Sequence, residues 1–259
     1  MKKNIILLTI IFITSIQVSA KVVSKPIEYR DGDAVLQGWL FYDDEVKNPK
    51  PGVIVVHEWW GLDDYAKNRA KQIAELGYVA FASDIYGKGV LKTTFEEAAE
   101  ISGKYRNDIN LLRSRINAAL TTFKQQPEVD KEKIAAIGYC FGGTTVLELA
   151  RSGAELKGVV SFHGGLQTSN LDDAKNIKTK VLICHGAKDP FVSTDQFNGF
   201  VTSMNKAGVD YQLIIYSNAV HGFTNPHNGT DASSGLAYNE SADKRSWEAM
   251  EQFFVEIFK

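Results

Sequence analysis

The segment Ile137-Gly138-Tyr139-Cys140-Phe141-Gly142-Gly143 sets a cysteine midway between two glycines. Residues 134–138 form a short apolar run that predicts a buried strand, and residues 144–151 have helical spacing. The pattern is Gly-x-nucleophile-x-Gly at a strand-to-helix turn, with cysteine where serine is commoner. Such a turn strains the central residue and thrusts its side chain outward. It also crowds the positions two before and two after, so glycine suits both Gly138 and Gly142. The helix that follows points its N-terminal dipole at the sulfur and favours thiolate. Buried, inert cysteines are common in cores. It is therefore the turn, rather than the residue type, that makes Cys140 the candidate nucleophile.

The same alternation continues on both sides of this turn. Strands are expected at residues 22–29, 35–42, 52–57, 78–82, 159–162, 181–185 and 211–216. Helices are expected at residues 63–76, 95–105, 109–123, 195–206 and 242–258. Most of these strands are short apolar runs without polar alternation, as expected of parallel strands buried on both faces. The implied class is α/β, a mostly parallel sheet with helices on both faces. Segments 88–107 and 225–242 are the places where loops would lie over a site.

Composition narrows the function classes. Hydrophobic residues make up 44% of the chain, enough for a sizeable core and against global disorder. A net charge of −2 without a long basic run argues against nucleic-acid binding. Two cysteines, Cys140 and Cys184, cannot make a disulfide framework. The first twenty residues read separately. Lys2 and Lys3 precede an apolar run broken only by Thr9, and Val18-Ser19-Ala20 suits a signal peptidase. The expectation is a signal peptide over 1–20 and a single α/β domain over 21–259, exported and soluble, in the periplasm or secreted. An uncut anchor is the alternative, but a span needs about 20 apolar residues and this run is shorter.

A thiol nucleophile works with a base, and the base with an orienting carboxylate. In strand–turn–helix hydrolases the chain order is nucleophile, acid, histidine. Of the five histidines, His57, His163, His185, His221 and His227, only the last two follow a suitable late acid. His221 lies a short loop beyond the strand at 211–216, at the carboxyl end where such sheets carry their sites. His227 is the fallback, in a longer polar loop. Asp189 follows the strand at 181–185 through Gly186-Ala187-Lys188 and is the candidate acid, although a turn aspartate or helix cap would look the same. His57, His163 and His185 also fall at strand ends. No ligand spacing calls for a metal, and no cofactor is expected.

The chain resembles the dienelactone hydrolase family, a cysteine-dependent branch of the α/β-hydrolases. The resemblance is carried by Val55-Val56-His57-Glu58-Trp59-Trp60-Gly61, Asp84-Ile85-Tyr86, Gly138-Tyr139-Cys140-Phe141-Gly142-Gly143, His185-Gly186-Ala187-Lys188-Asp189-Pro190 and His221-Gly222-Phe223. It implies an α/β-hydrolase fold and a Cys140-His221-Asp189 triad. It further implies that Glu58 helps to switch the thiol to thiolate, and that the backbone N–H groups of Trp59 and Phe141 form the oxyanion hole. The residues agree that Glu58 is unusual. A carboxylate directly after an apolar strand is partly buried, which raises its pKa toward neutrality. Trp60, Tyr86 and Lys88 are the candidates for substrate contact. Lys88 stands near the position of one family arginine that holds the substrate carboxylate, and Asn225 stands where a second would be. Neither supplies the bidentate fork of arginine.

The expected function is an exported hydrolase of small-molecule esters, lactones or thioesters, working through an acyl-enzyme, with no nucleic-acid partner and no stable membrane insertion after cleavage. The sequence carries no signal of oligomeric state. Two other readings stay open: a non-catalytic binding protein on the same fold, and a thiol-redox protein that uses Cys140, alone or with Cys184.

Overall fold

The computed structural model describes residues 21–45 and 47–259; the signal-peptide reading of residues 1–20 lies outside them. The chain forms β1 (Val22–Asp31), β2 (Ala34–Asp43), β3 (Lys50–Val56), α1 (Asp64–Glu75), β4 (Val79–Ser83), α2 (Phe95–Asn107), α3 (Ile109–Lys124), β5 (Val129–Tyr139), α4 (Phe141–Arg151), β6 (Gly158–Phe162), β7 (Lys180–Gly186), α5 (Thr194–Ala207), β8 (Tyr211–Tyr216) and α6 (Glu240–Ile257). The eight strands make one sheet in the order β1-β2-β4-β3-β5-β6-β7-β8. β1 and β2 form an antiparallel hairpin, and β2 runs antiparallel to β4. From β4 to β8 every neighbour is parallel.

The period-two alternation of the strands sorts their side chains onto two faces. Ile54 and Val56 of β3 join Ala136, Val159 and Val181 in the core beneath α3, α4 and α5, with Leu112, Ile116, Val146 and Phe200. Val53 and Val55 face the other way and pack with Ile137, Val160 and Leu182 against α1 and α6, through Ala66, Ile73, Met250 and Phe254. Each face therefore offers apolar surface to helices, which is why the strands read as unbroken apolar runs. The parallel strands carry their loops at one edge, and the candidate site lies at their carboxyl ends.

The expected elements all form, with displaced boundaries. β5 begins at Val129 rather than 134, because the polar run Asp130-Lys131-Glu132-Lys133 hides an extension that pairs Val129 with Lys50. α4 begins at Phe141 rather than 144, so the glycine pair lies inside its first turn. A short 3-10 helix, Leu171–Asn176, was not expected. Of the two segments with the least certain boundaries, 88–107 holds the expected helix, α2, after a short loop. The second is irregular, with 3-10 turns at Pro226–Asn228 and Ala232–Ser234. Among the described residues, no helix is long and apolar enough to cross a membrane.

Candidate active site

Cys140 sits between β5 and α4 with φ +52° and ψ −112°, a conformation that L residues rarely adopt. The strain is held by contacts that exclude any larger residue nearby. A Cβ at Gly138 would lie 2.0 Å from the Gly142 carbonyl oxygen, and one at Gly142 would lie 2.3 Å from that of Val56. The spacing read from the sequence is thus a packing requirement. The Cys140 N–H is shared between the Phe162 carbonyl at 3.0 Å and His163 Nδ1 at 3.1 Å. Phe141 opens α4, and its N–H has no carbonyl one turn back within the helix to bind.

Two loops bring the other expected members to the sulfur. His221, beyond β8, places Nε2 3.0 Å from Cys140 Sγ. Its Nδ1 lies 2.8 Å from Asp189 Oδ2, on the loop after β7. An acidic acceptor at Nδ1 holds the proton there and turns Nε2 toward sulfur. The Lys188 N–H donates to the Ala219 carbonyl, which fastens the acid loop to the histidine loop. The backbone of His221 is gripped by Gly235 and Ala237, and Asp189 Oδ1 accepts the Phe191 N–H. Burial alone would push the imidazole down. The charge of Cys140 and the carboxylate of Asp189 outweigh it and raise His221 to about 10. The arrangement favours the imidazolium form of His221.

Glu58 follows β3 and is buried at the same cavity. Burial raises its carboxyl to about 7, with the Asn225 amide pulling the other way from 2.6 Å. Asn225 is oriented for this: its Oδ1 accepts the His227 N–H, which leaves Nδ2 to donate. Thus Asn225, which the sequence marks only as a missing arginine, is the partner of Glu58. His57 braces the loop. Its Nε2 accepts the Ile85 N–H at 3.3 Å while Nδ1 donates to the Glu58 carbonyl at 2.5 Å, and burial keeps it neutral.

The cavity above Cys140 has a volume of about 310 Å³. Trp59, Trp60, Phe95, Phe191, Val192 and Leu236 supply an apolar wall, with the two tryptophans and Phe95 in mutual aromatic contact. Among the described residues, Arg106, from the last turn of α2, is the one arginine or lysine in the lining, and its guanidinium lies 5.8 Å from the Phe141 ring centre. Among the described residues, its buried Nε and the buried Oε1 of Gln167, another lining residue, find no hydrogen-bond partner. Sequence reasoning missed Arg106, Gln167, Phe95 and Phe191. Arg106 and Phe95 fall on a helix that the sequence places but does not orient.

Other sequence-level candidates lie elsewhere. Trp60 lines the cavity, but Lys88 does not. The turn after Tyr86 sends Lys88 outward, where its Nζ pairs with Glu28 at 2.7 Å on the surface. Tyr86 is buried behind the wall and donates its hydroxyl to the Trp59 carbonyl at 3.2 Å, so it supports Trp59. His227, the fallback base, lines a neighbouring acidic depression rather than the cavity over Cys140. Cys184 is free and belongs to the opposite face of the sheet from Cys140. Burial pushes its thiol up to about 12. Among the described residues, no cluster of three or more His, Cys, Asp or Glu side chains forms a metal site.

The family model described as "Dienelactone hydrolase family" matches residues 36–258. The crystal structure of a dienelactone hydrolase-like promiscuous phosphotriesterase from metagenomic libraries superposes with a TM-score of 0.88 at 41% identity, covering 92% of this chain and 99% of that one. A putative carboxymethylenebutenolidase of Aquifex aeolicus is 28% identical over 220 residues, 81% of this chain and 89% of its own. A probable 2-oxo-3-(5-oxofuran-2-ylidene)propanoate lactonase of Bradyrhizobium is 28% identical over 183 residues, 67% of this chain and 73% of its own.

Proposed function

The chain belongs to the dienelactone hydrolase family, and from that premise we propose that it cleaves carboxylic esters, lactones or thioesters through a covalent intermediate on Cys140. The observation that carries this reading is the 3.0 Å approach of His221 Nε2 to Cys140 Sγ at the floor of an apolar cavity. The thiolate attacks the carbonyl carbon. Negative charge then develops on the carbonyl oxygen beside the N–H groups of Trp59 and Phe141, where loss of one donor costs about 3 kcal/mol of transition-state stabilisation. The imidazolium of His221 gives its proton to the departing alkoxide or thiolate. As a neutral base it then takes a proton from the water that attacks the acyl-cysteine, and this releases the acid and restores the ion pair. Asp189 holds the ring in the tautomer both steps need. Glu58, with its carboxyl near neutrality, is a second proton acceptor at the cavity, able to help ionise the thiol when the ion pair forms.

The lining selects among substrates. An apolar body fits between Trp59, Trp60, Phe95 and Phe191, while Arg106 and Gln167 offer one cationic and one neutral polar contact. This favours small substrates with a planar or apolar group and an anionic or strongly polar substituent. Arginine pairs with carboxylate in a fixed fork. Phosphotriesters belong in the same assay, since a relative at 41% identity is named for that activity. The proposal also places the mature enzyme in the periplasm or outside the cell, on the pattern of residues 1–20. A native N-terminus at Lys21 in protein recovered from the periplasmic or extracellular fraction would support that placement, and recovery from the cytoplasm with Met1 intact would refute it.

The test is ester turnover by purified protein. Cys140→Ala abolishes cleavage of p-nitrophenyl esters while circular dichroism stays that of the parent. Full activity in that variant would refute the assignment.

A further inference from the structure

Resting on the cysteine-hydrolase reading, we propose that His163 is a positioning residue: it clamps the strained backbone of Cys140 and ties it, through Thr224, to the loop that carries His221. His163 follows β6, is wholly buried, and itself has a positive φ of +41°. Both ring nitrogens are engaged. Nδ1 faces the Cys140 N–H at 3.1 Å and Nε2 faces Thr224 Oγ1 at 2.7 Å. Because a backbone N–H can only donate, Nδ1 is bare and Nε2 carries the proton, which it donates to the threonine hydroxyl.

The tether continues into the body of the protein. Thr224 Oγ1 shares a hydrogen bond with the Tyr65 hydroxyl at 2.7 Å. Arg69 Nε donates to that tyrosine oxygen, and Arg69 Nη2 donates to the Thr224 carbonyl and to Asp243. Thr224 lies three residues beyond His221. One continuous path of hydrogen bonds thus joins the nucleophile's backbone to the histidine loop and to α1 and α6. The ring of His163 also packs edge-on against that of His221, with centres 5.4 Å apart. A second proton on His163 would set an Nδ1–H against the Cys140 N–H and a positive charge beside His221. Burial, followed by the charges of His221 and Arg69, holds it well below the usual histidine range and keeps it neutral. A leucine or phenylalanine would fill the same space. Only a side chain with an acceptor at the δ position gives the Cys140 N–H a second partner beside the Phe162 carbonyl that it also binds.

Four variants test this: His163→Leu, His163→Asn, Thr224→Val and Thr224→Ser. The measurements are kcat and KM for p-nitrophenyl acetate and the rate at which iodoacetamide alkylates Cys140. Loss of one neutral hydrogen bond that orients the nucleophile is expected to lower kcat about tenfold. For His163→Leu, KM stays within about twofold of the parent and alkylation slows in parallel with kcat, as loss of an orienting contact requires. Asparagine places Oδ1 where Nδ1 stood and tolerates positive φ, so His163→Asn recovers most of kcat. Thr224→Val leaves residue 163 unchanged and reproduces part of the loss, while Thr224→Ser behaves like the parent.

Parental kcat and alkylation in a folded His163→Leu protein would overturn the proposal, as would an asparagine variant no better than leucine. If leucine at 163 prevents folding, Thr224→Val decides: a kcat equal to that of the parent refutes the tether. The underlying reading fails separately. A parent that cleaves no ester, yet whose Cys140 alkylation still slows in His163→Leu, leaves the clamp standing and removes the hydrolase.

Discussion

Replacing Glu58 with glutamine should stabilise the protein at alkaline pH and leave it unchanged in acid. The carboxyl is buried and raised by that burial from 4.5 to about 7. Between these two pH values the folded chain keeps a proton that the unfolded chain has released, so stability falls as pH rises through this window. At 1.36 kcal/mol for each tenfold change in proton affinity, the cost above pH 7 is about 3 kcal/mol. Glutamine does not titrate, has nearly the same shape, and can still accept from Asn225 through Oε1. Urea unfolding of both proteins from pH 4 to pH 8 gives the comparison. The free-energy difference should be near zero at pH 4 and rise to about 3 kcal/mol at pH 8 in favour of the variant. Ester turnover should fall in the same variant, the pattern expected where an active site is kept at the expense of stability. A difference that stays flat across the range, or a variant less stable at pH 8, would refute the argument that Glu58 is held near neutrality by desolvation.

Three further outcomes can be measured on the same protein. Arg106→Leu should raise KM for an ester bearing a free carboxylate about tenfold and leave a neutral ester of equal size within about twofold, since a charge-assisted hydrogen bond contributes about 1.5–3 kcal/mol; equal effects on both substrates would remove Arg106 from recognition. Asn225→Leu takes away the Asn225 hydrogen bond to the Glu58 carboxylate and should destabilise the fold at pH 8 by about 1–3 kcal/mol in urea unfolding, with a smaller loss at pH 5, where the carboxyl is protonated. Cys184, pushed up to about 12 by burial, should resist iodoacetamide at pH 8, so peptide mapping of native protein should find alkylation on Cys140 alone; a second adduct, or a Cys140–Cys184 disulfide after mild oxidation, would favour the redox reading.

The sheet was legible because its strands are buried on both faces. Runs such as Val53-Ile54-Val55-Val56 have no polar interruption to confuse their reading. The boundaries that slipped are those where local chemistry opposes tertiary structure. The charged residues 130–133 conceal the start of β5, and Gly142-Gly143 looks like a helix breaker although the pair is there to let α4 pass against β3 and β6. In the site, Cys140, Asp189 and His221 could be found because the fold delivers strand-end residues to one edge in a known chain order. Lys88 and Arg106 show where that logic stops. Both are cations on connections whose direction only packing decides. Lys88 turns out to Glu28 and Arg106 turns in over Phe141. His57 and His163 were visible only as histidines at strand ends. Their tautomers and their bracing contacts depend on backbone N–H groups that are 28 and 23 residues distant in the chain.

The most direct test of the central claim is the intact mass of the protein, quenched in acid within milliseconds of mixing with p-nitrophenyl acetate and mapped by peptide. The account predicts a single acetyl group on Cys140 that forms with the first burst of p-nitrophenol, disappears as turnover proceeds, and is absent from Cys140→Ala. Turnover without acylation of Cys140, or an acetyl group on some other side chain that forms and decays at the rate of turnover, would contradict it.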